Sequence, residues 1–206
     1  ILPKKPCPLT QKQIFMAKQV MDIRPGKGMT LSQSNEHLRV SLHGAKTSSR
    51  SLNIDPTRDL LNFEITQGCQ VVPVDKRTSI PKRIRENLKK RGIEDPNKKY
   101  KKLGLEPKIR TVANFILGGS RDQMHRLAFG NQKVNLERGA DNSSIRRMPE
   151  IENWAKDMYR FMSDRFGEKN IAAFVVHLDE TNPHIHCTVL PITEQHKFSC
   201  KQVMVG

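Results

Sequence analysis

Ten residues near the end of the chain, positions 177–186 with the sequence HLDETNPHIH, constrain the fold more than any other segment. The apolar, partly β-branched run 171–176 precedes them and the run 187–190 follows. Short apolar runs of this composition predict buried strands. Thr181, Asn182 and Pro183 supply turn chemistry between the runs. The segment is therefore predicted to form a β-hairpin.

This hairpin is predicted to bring three histidines into one site. His184 and His186 are two residues apart, so on a strand their side chains share a face, and His177 at the end of the facing strand meets them. Three imidazoles leave coordination positions open, which is typical of a catalytic metal site. Asp179 and Glu180 suit hydrogen bonds to metal-binding histidines or proton transfer. A structural metal site would need a fourth ligand, and Cys187 points to the opposite strand face.

The charge of the chain indicates a polyanionic partner. Lys and Arg total 36 against 21 Asp and Glu, a formal net charge of +15. Residues 76–110 alone hold 14 basic and 4 acidic residues. An excess this dense is neutralised most simply by nucleic-acid phosphates, which release counterions on binding. A membrane surface is the lesser alternative, since no apolar run approaches the roughly 20 residues of a membrane span.

The remaining pattern predicts an α+β fold. Strands are expected at residues 17–23, around residues 60–65 and at 111–117, and a basic helix between Pro81 and Gly92. Ser120 with Gln123 is a capping-box signature for a helix to about Phe129. A long helix is predicted from Pro149 to Gly167, with a core stripe of Trp154, Met158, Phe161 and Met162. This order favours a mostly antiparallel sheet with helices packed on one face.

A metal site on a basic protein predicts phosphodiester chemistry, in which water or a side chain attacks. The chain has two tyrosines, Tyr100 in the lysine-rich run and Tyr159 in the long helix, and neither lies near the start. His37 and His43 lie in a polar segment whose local structure the sequence does not define. From the residues alone, either histidine is a candidate nucleophile or an ordinary exposed side chain.

Two motifs resemble the Mob/Pre plasmid mobilisation relaxases of the MobV group. Residues 177–186, followed by Pro191, closely resemble that family's H-x-D-E-x-x-P-H-x-H…P motif. Residues 55–64, DPTRDLLNFE, resemble its N/D-P-x-R-x-x-L-N-x-E segment. A weaker match is the tail 196–201, and the resemblance covers most of residues 16–206. It implies a fold related to rolling-circle initiators, with an antiparallel sheet and helices.

The resemblance also implies roles for particular residues. His177, His184 and His186 would bind manganese or magnesium, and Glu180 would assist proton transfer together with or in place of Asp179. The nucleophile would be His37, which fits the family's histidine by position although the pattern around it differs, with His43 as the fallback. Such relaxases nick one DNA strand at a transfer origin and hold the 5′ end as a phosphohistidine.

DNA contacts are predicted from motif and from charge. Arg39 is expected to contact DNA. By motif match, Arg58 and Asn62 are expected to contact DNA or to organise the site. Charge alone adds candidates for the phosphate backbone in the basic helix: Lys82, Arg83, Arg85, Lys89, Lys90 and Arg91. The expected partners are single-stranded or supercoiled origin DNA, and accessory mobilisation and coupling proteins.

Residues 1–15 are interpreted as a disordered leader or expression remnant, and residues 16–206 as a catalytic domain truncated at its C-terminus, with dimerisation through the missing part. Four scattered cysteines without C-x-x-C spacing, together with the basic charge, predict a cytoplasmic protein. Two rival functions stay open. One is a hydrolytic metal-dependent nuclease, and the other is a nucleic-acid-binding module with a structural metal.

Overall fold

The computed structural model describes residues 19–40 and 53–205. The interpretation of residues 1–15 and the fallback nucleophile His43 therefore lie outside the described residues. The strands, in chain order, are β1 Val20–Gly26, β2 Phe63–Thr66, β3 Gln70–Pro73, β4 Val112–Gly118, β5 Ile171–His177 and β6 His184–Val189. The helices are α1 Leu31–Leu38, α2 Ile80–Lys90, α3 Lys98–Lys102, α4 Arg121–Phe129, α5 Pro149–Phe166 and α6 Cys200–Val205, with short 3-10 helices at Pro56–Leu61 and Glu168–Asn170.

The strands form one six-stranded sheet in the order β1-β4-β6-β5-β2-β3, and every neighbouring pair is antiparallel. The predicted α+β class is confirmed. The hairpin β5–β6 lies at the centre of the sheet, and most of its side chains are buried. This central position gives the histidine-bearing strands neighbours on both sides.

The helices cover both faces of the sheet, and the expectation of a single covered face is wrong. On one face, Phe174 and Val176 of β5 pack with residues of α4 and α5. On the other face, Ala173 and Val175 pack with Leu38 of α1 and Ile80 of α2. A central strand with a continuous apolar run must be covered on both sides, because successive side chains point to opposite faces.

Two predicted elements are shifted. The first strand begins at Val20 and ends at Gly26, later than the predicted 17–23. The predicted strand around residues 60–65 is instead a 3-10 helix over Pro56–Leu61 followed by β2. Asp55 caps that helix through its side chain and Pro56 occupies its first turn, so the apolar Leu60 ends up 93% exposed.

The capping signals of α4 and α5 are confirmed. The Ser120 hydroxyl accepts a hydrogen bond from the Gln123 amide, and Pro149 opens α5. The predicted core stripe is wrong at Phe161, which is 49% exposed, whereas Trp154 and Met162 are buried. Phe161 precedes Met162 by one residue and so lies about 100° around the helix from it.

We expect Met162→Ala to lower the free energy of unfolding by about 2–5 kcal/mol, because it leaves a cavity beneath the sheet. The matched control is Phe161→Ala on the same helix, which we expect to cost clearly less, since that ring is half exposed. Urea denaturation followed by circular dichroism measures both. Equal losses for the two variants would contradict the assigned orientation of α5.

Candidate metal and nucleophile site

The hairpin register brings the three histidines to one face of the sheet. His177 pairs with His184 across β5 and β6, and Val175 pairs with His186. The ring centroids of His177 lie 5.4 Å from those of His184 and 4.7 Å from those of His186, and the last two rings are 4.7 Å apart. One ligand atom from each of the three side chains lies within 4.8 Å of the others.

The geometry of His184 and His186 fits a divalent cation. Their Nε2 atoms are 2.9 Å apart. Two nitrogens bound to one ion at about 2.1 Å and at right angles are about 3 Å apart. The Nδ1–H of His184 donates to the Asn182 carbonyl at 2.8 Å, which leaves the Nε2 lone pair free. Burial, followed by the neighbouring His177, lowers the pKa of both rings, so they favour the neutral form that binds metals.

Helix α1 brings His37 into the same cluster. Its ring stacks on that of His186 with centroids 4.2 Å apart, and its carbonyl accepts a hydrogen bond from His177 Nε2 at 2.7 Å. Its Nδ1 is buried without a hydrogen-bond partner among the described residues. Burial, reinforced by His177 and Arg39, lowers the pKa of His37 to about 3. The ring is therefore neutral at physiological pH and keeps a nucleophilic lone pair.

A local sequence signal marks the start of α1, a helix that was not predicted. Thr30 and Gln33 form a reciprocal capping box, in which each side chain bonds the other residue's backbone N–H. This motif fixes where the helix begins and therefore which side of it His37 occupies.

Arg39 is an internal residue of the site, and the expectation that it contacts DNA stays a prediction. It ends α1 in the left-handed conformation, with φ of 53°. Its guanidinium binds both carboxylate oxygens of Asp179, at 2.7 and 2.9 Å, and also contacts Glu180 and His177 Nδ1. Its side chain is only 6% exposed. A guanidinium whose donors are used in this way has little left to offer a phosphate.

The two acids of the motif differ in surroundings. Asp179 is fully buried and held by Arg39. Burial alone would raise the pKa of Glu180, but His177 and Arg39 beside it outweigh burial and lower that pKa to about 2. Glu180 is therefore an ionised carboxylate at neutral pH, which suits it to accept hydrogen bonds and to orient His177.

The segment Asp55–Asn62 holds the backbone that follows His177. Arg58 donates to the carbonyls of Leu178 at 2.6 Å and Glu180 at 3.2 Å. The amide of Leu178 donates to the Asn62 side-chain oxygen at 2.7 Å, and the amide of Asp55 donates to the Asp179 carbonyl at 2.7 Å. Arg58 is 2% exposed and Asn62 4%. These internal contacts support the alternative that the two residues organise the site, and a contact of either one with DNA stays a prediction.

The basic helix α2 divides into exposed and internal side chains. Lys82, Arg85, Lys89 and Lys90 are exposed. Arg83 forms an ion pair with the buried Glu64 at 2.7 Å, and Arg91 bonds the Asn170 side chain at 2.9 Å. Internal acceptors thus engage Arg83 and the Nη1 atom of Arg91. A contact with DNA stays a prediction for these two side chains and for the four exposed ones.

The tyrosines are not part of this cluster. Tyr159 belongs to the core on the opposite face of the sheet, where its ring contacts Phe174 and its hydroxyl donates to Glu168. Tyr100 lies in α3, with Lys108 over its ring. None of the helices described for residues 19–40 and 53–205 combines the length and apolar character needed to cross a membrane.

The comparisons with known proteins agree with the motif-based resemblance. Residues 143–206 match the family model Mob_Pre, described as plasmid recombination enzyme. A plasmid recombination enzyme of Bacillus thuringiensis is 25% identical over 76% of this chain and 27% of that protein. One of Lactiplantibacillus plantarum is 24% identical over 85% of this chain and 40% of its own length. A type 1 enzyme of Staphylococcus aureus is 40% identical over 26% of this chain and 13% of its own length. The chain thus spans less than half of these relatives.

A solved structure shares the fold. The MobM relaxase domain (MOBV; Mob_Pre), Mn-bound and in complex with plasmid pMV158 oriT DNA, matches with a TM-score of 0.63 and 21% identity. The match covers 91% of this chain and 76% of that chain. The resemblance to the Mob/Pre relaxases and the predicted relaxase-like fold are therefore confirmed.

We expect Arg58→Met to destabilise the chain by about 3–5 kcal/mol, because it takes the cation from the Asp55 carboxylate and the guanidinium donors from two carbonyls. The control is Arg24→Met, which breaks the exposed Arg24–Asp22 pair and is expected to cost less than about 1 kcal/mol. Thermal and urea unfolding measure both. A small loss of stability in Arg58→Met would show that the backbone after His177 keeps its conformation without the Arg58 guanidinium.

Proposed function

We propose that this chain is the catalytic domain of a DNA relaxase that nicks one strand at a plasmid or transposon transfer origin for conjugative mobilisation. The observation that carries the proposal is the contact of His37 with the histidine cluster. The neutral imidazole of His37 stacks on the ring of His186. The backbone carbonyl of His37 accepts a hydrogen bond from His177 Nε2. The matches to plasmid recombination enzymes and to a relaxase domain bound to oriT DNA support the substrate class.

The reaction is a transesterification. A ring nitrogen of His37 uses its lone pair to attack the phosphorus of the scissile phosphodiester, forming a P–N bond as the P–O3′ bond breaks. The 3′ oxygen leaves with the electron pair and takes up a proton, and the 5′ phosphate stays on His37 as a phosphohistidine. Rejoining reverses the step, since the 3′ hydroxyl attacks the same phosphorus and returns the histidine.

His177, His184 and His186 would hold a divalent ion, manganese or magnesium. When bound, such an ion polarises a phosphate oxygen and neutralises charge that develops in the transition state. The chain's own contribution is orientation. The Asn182 carbonyl fixes the ring of His184, and Arg39 holds Asp179 and Glu180 beside His177. The ionised Glu180 orients His177 and can accept a proton as a carboxylate base.

The partner we propose is transfer-origin DNA, presented as a single strand or from supercoiled plasmid. The exposed lysines and arginine of α2 offer charge for its phosphates without reading sequence. The protein would work with accessory mobilisation and coupling proteins in the cytoplasm.

A covalent adduct test separates the proposal from hydrolysis. Incubation with single-stranded origin oligonucleotide and Mn²⁺ should give a protein–DNA band that survives denaturing electrophoresis. His37→Ala should abolish that band, whereas His125→Ala, a histidine of α4 that contacts the hairpin turn through the Thr181 carbonyl, should retain most of it. His43→Ala tests the fallback nucleophile and should also retain it.

The results with these variants identify the nucleophile and the type of reaction. Loss of the adduct in His43→Ala but not in His37→Ala would move the nucleophile to His43. Free cut ends with no adduct in any variant would make the chain a hydrolytic metal-dependent nuclease. Binding without cleavage would favour the nucleic-acid-binding module.

Metal removal provides a second discrimination. A chelator should reduce nicking at least 100-fold, and added Mn²⁺ should restore it, while the far-UV circular dichroism spectrum stays unchanged. The cores on both faces of the sheet account for this stability, because they do not depend on the histidine cluster. Global unfolding on chelation would instead indicate a structural metal.

A further inference from the structure

Arg39 Nη2 is surrounded by more acceptors than it can serve. The Asp179 Oδ1 atom lies 2.9 Å away, His177 Nδ1 lies 2.9 Å away, and Glu180 Oε1 is also in contact. A guanidinium terminal nitrogen carries two hydrogens. A metal ion can bind all three of these acceptor atoms at once, whereas the two hydrogens of Nη2 can serve only two of them.

The same three side chains form a second set of metal-ligating atoms, distinct from the three-histidine set. His177, Asp179 and Glu180 each offer one atom within 4.8 Å of the others, and His177 Nδ1 is 3.7 Å from Glu180 Oε1. Two carboxylates and an imidazole are ligands that manganese, iron and zinc accept. His177 is common to both sets.

We propose that Arg39 is an intrinsic cation that fills this second metal-binding set and so limits the site to one divalent ion. The inference rests on the proposed function, which assigns the first ion to the three histidines. The burial of the acids carries the argument. Asp179 is fully buried and Glu180 is 28% exposed in its side chain, so their charges need a cation close by.

The number of ions has a chemical consequence. Two ions about 3.5–4 Å apart are the arrangement found in many phosphatases and nucleases, where water is activated and displaces the leaving oxygen. With Arg39 in the second position, the chain supplies a positive charge that binds no water for attack. Arg39 therefore favours attack by a side chain over hydrolysis.

The test is to count bound Mn²⁺ by native mass spectrometry of the whole chain during titration with MnCl₂. We expect one ion in the wild type and two in Arg39→Met, which keeps the length of the stem but removes the charge. Arg39→Lys keeps a cation and should bind one. Arg39→Met combined with Asp179→Asn removes one ligand charge and should also bind one. Mn²⁺ electron paramagnetic resonance should show spin coupling in Arg39→Met alone.

Each outcome bears on the inference. If the wild type and Arg39→Met both bind one ion, the inference is overturned and the proposed function is unaffected. Two ions in the wild type would have the same consequence. No ion in the wild type but one in Arg39→Met contradicts the histidine site while supporting the second set. If Arg39→Met folds only with Mn²⁺ and then holds two ions, the inference stands. If it stays unfolded with Mn²⁺ while Arg39→Lys folds, the inference fails, because an ion then does not replace the guanidinium.

Discussion

The register between β5 and β6 is the constraint on which the site depends. Pairing His177 with His184 and Val175 with His186 puts three imidazoles on one face and leaves Phe174, Ile185 and Cys187 for the other. A slip by one residue would exchange the faces. The imidazoles would then enter the apolar layer under α4 and α5, and large apolar side chains would fill the polar site. Apolar packing on one face of the sheet thus fixes the positions of the three imidazoles on the other face.

The polar side chains around the three imidazoles would each lower the stability of the fold if they were buried without a partner. Asp179 and Arg39 neutralise each other, and the neutral rings of His37 and His186 stack. Arg58 neutralises Asp55 and uses its other donors on backbone carbonyls. Segments far apart in the chain, around residues 39, 58 and 179, each supply part of this balance. Removal of one member leaves a partner buried without compensation, which couples the stability of the fold to the order of the site.

The parts of the structure that local sequence determines were predictable, and the parts determined by long-range partners were not. The hairpin, α4 and α5 follow from apolar runs, turn residues and caps that lie within a few residues of each other. The internal contacts of Arg39 were not predictable, because its direction depends on a left-handed backbone conformation and on Asp179, 140 residues later. The ion pair of Arg83 was not predictable either, since nothing in the sequence shows that the buried Glu64 pairs with it. Phe161 was predicted as buried because it lies at the edge of an apolar stripe, but its ring turns to solvent.

His37 contacts the hairpin twice, by different parts of the same residue. Its carbonyl holds a ring on β5 while its own ring lies on β6. Helix α1 consequently cannot detach from the sheet without disturbing both strands at once. We therefore expect local opening of α1 to loosen β5 and β6 near their histidines as well.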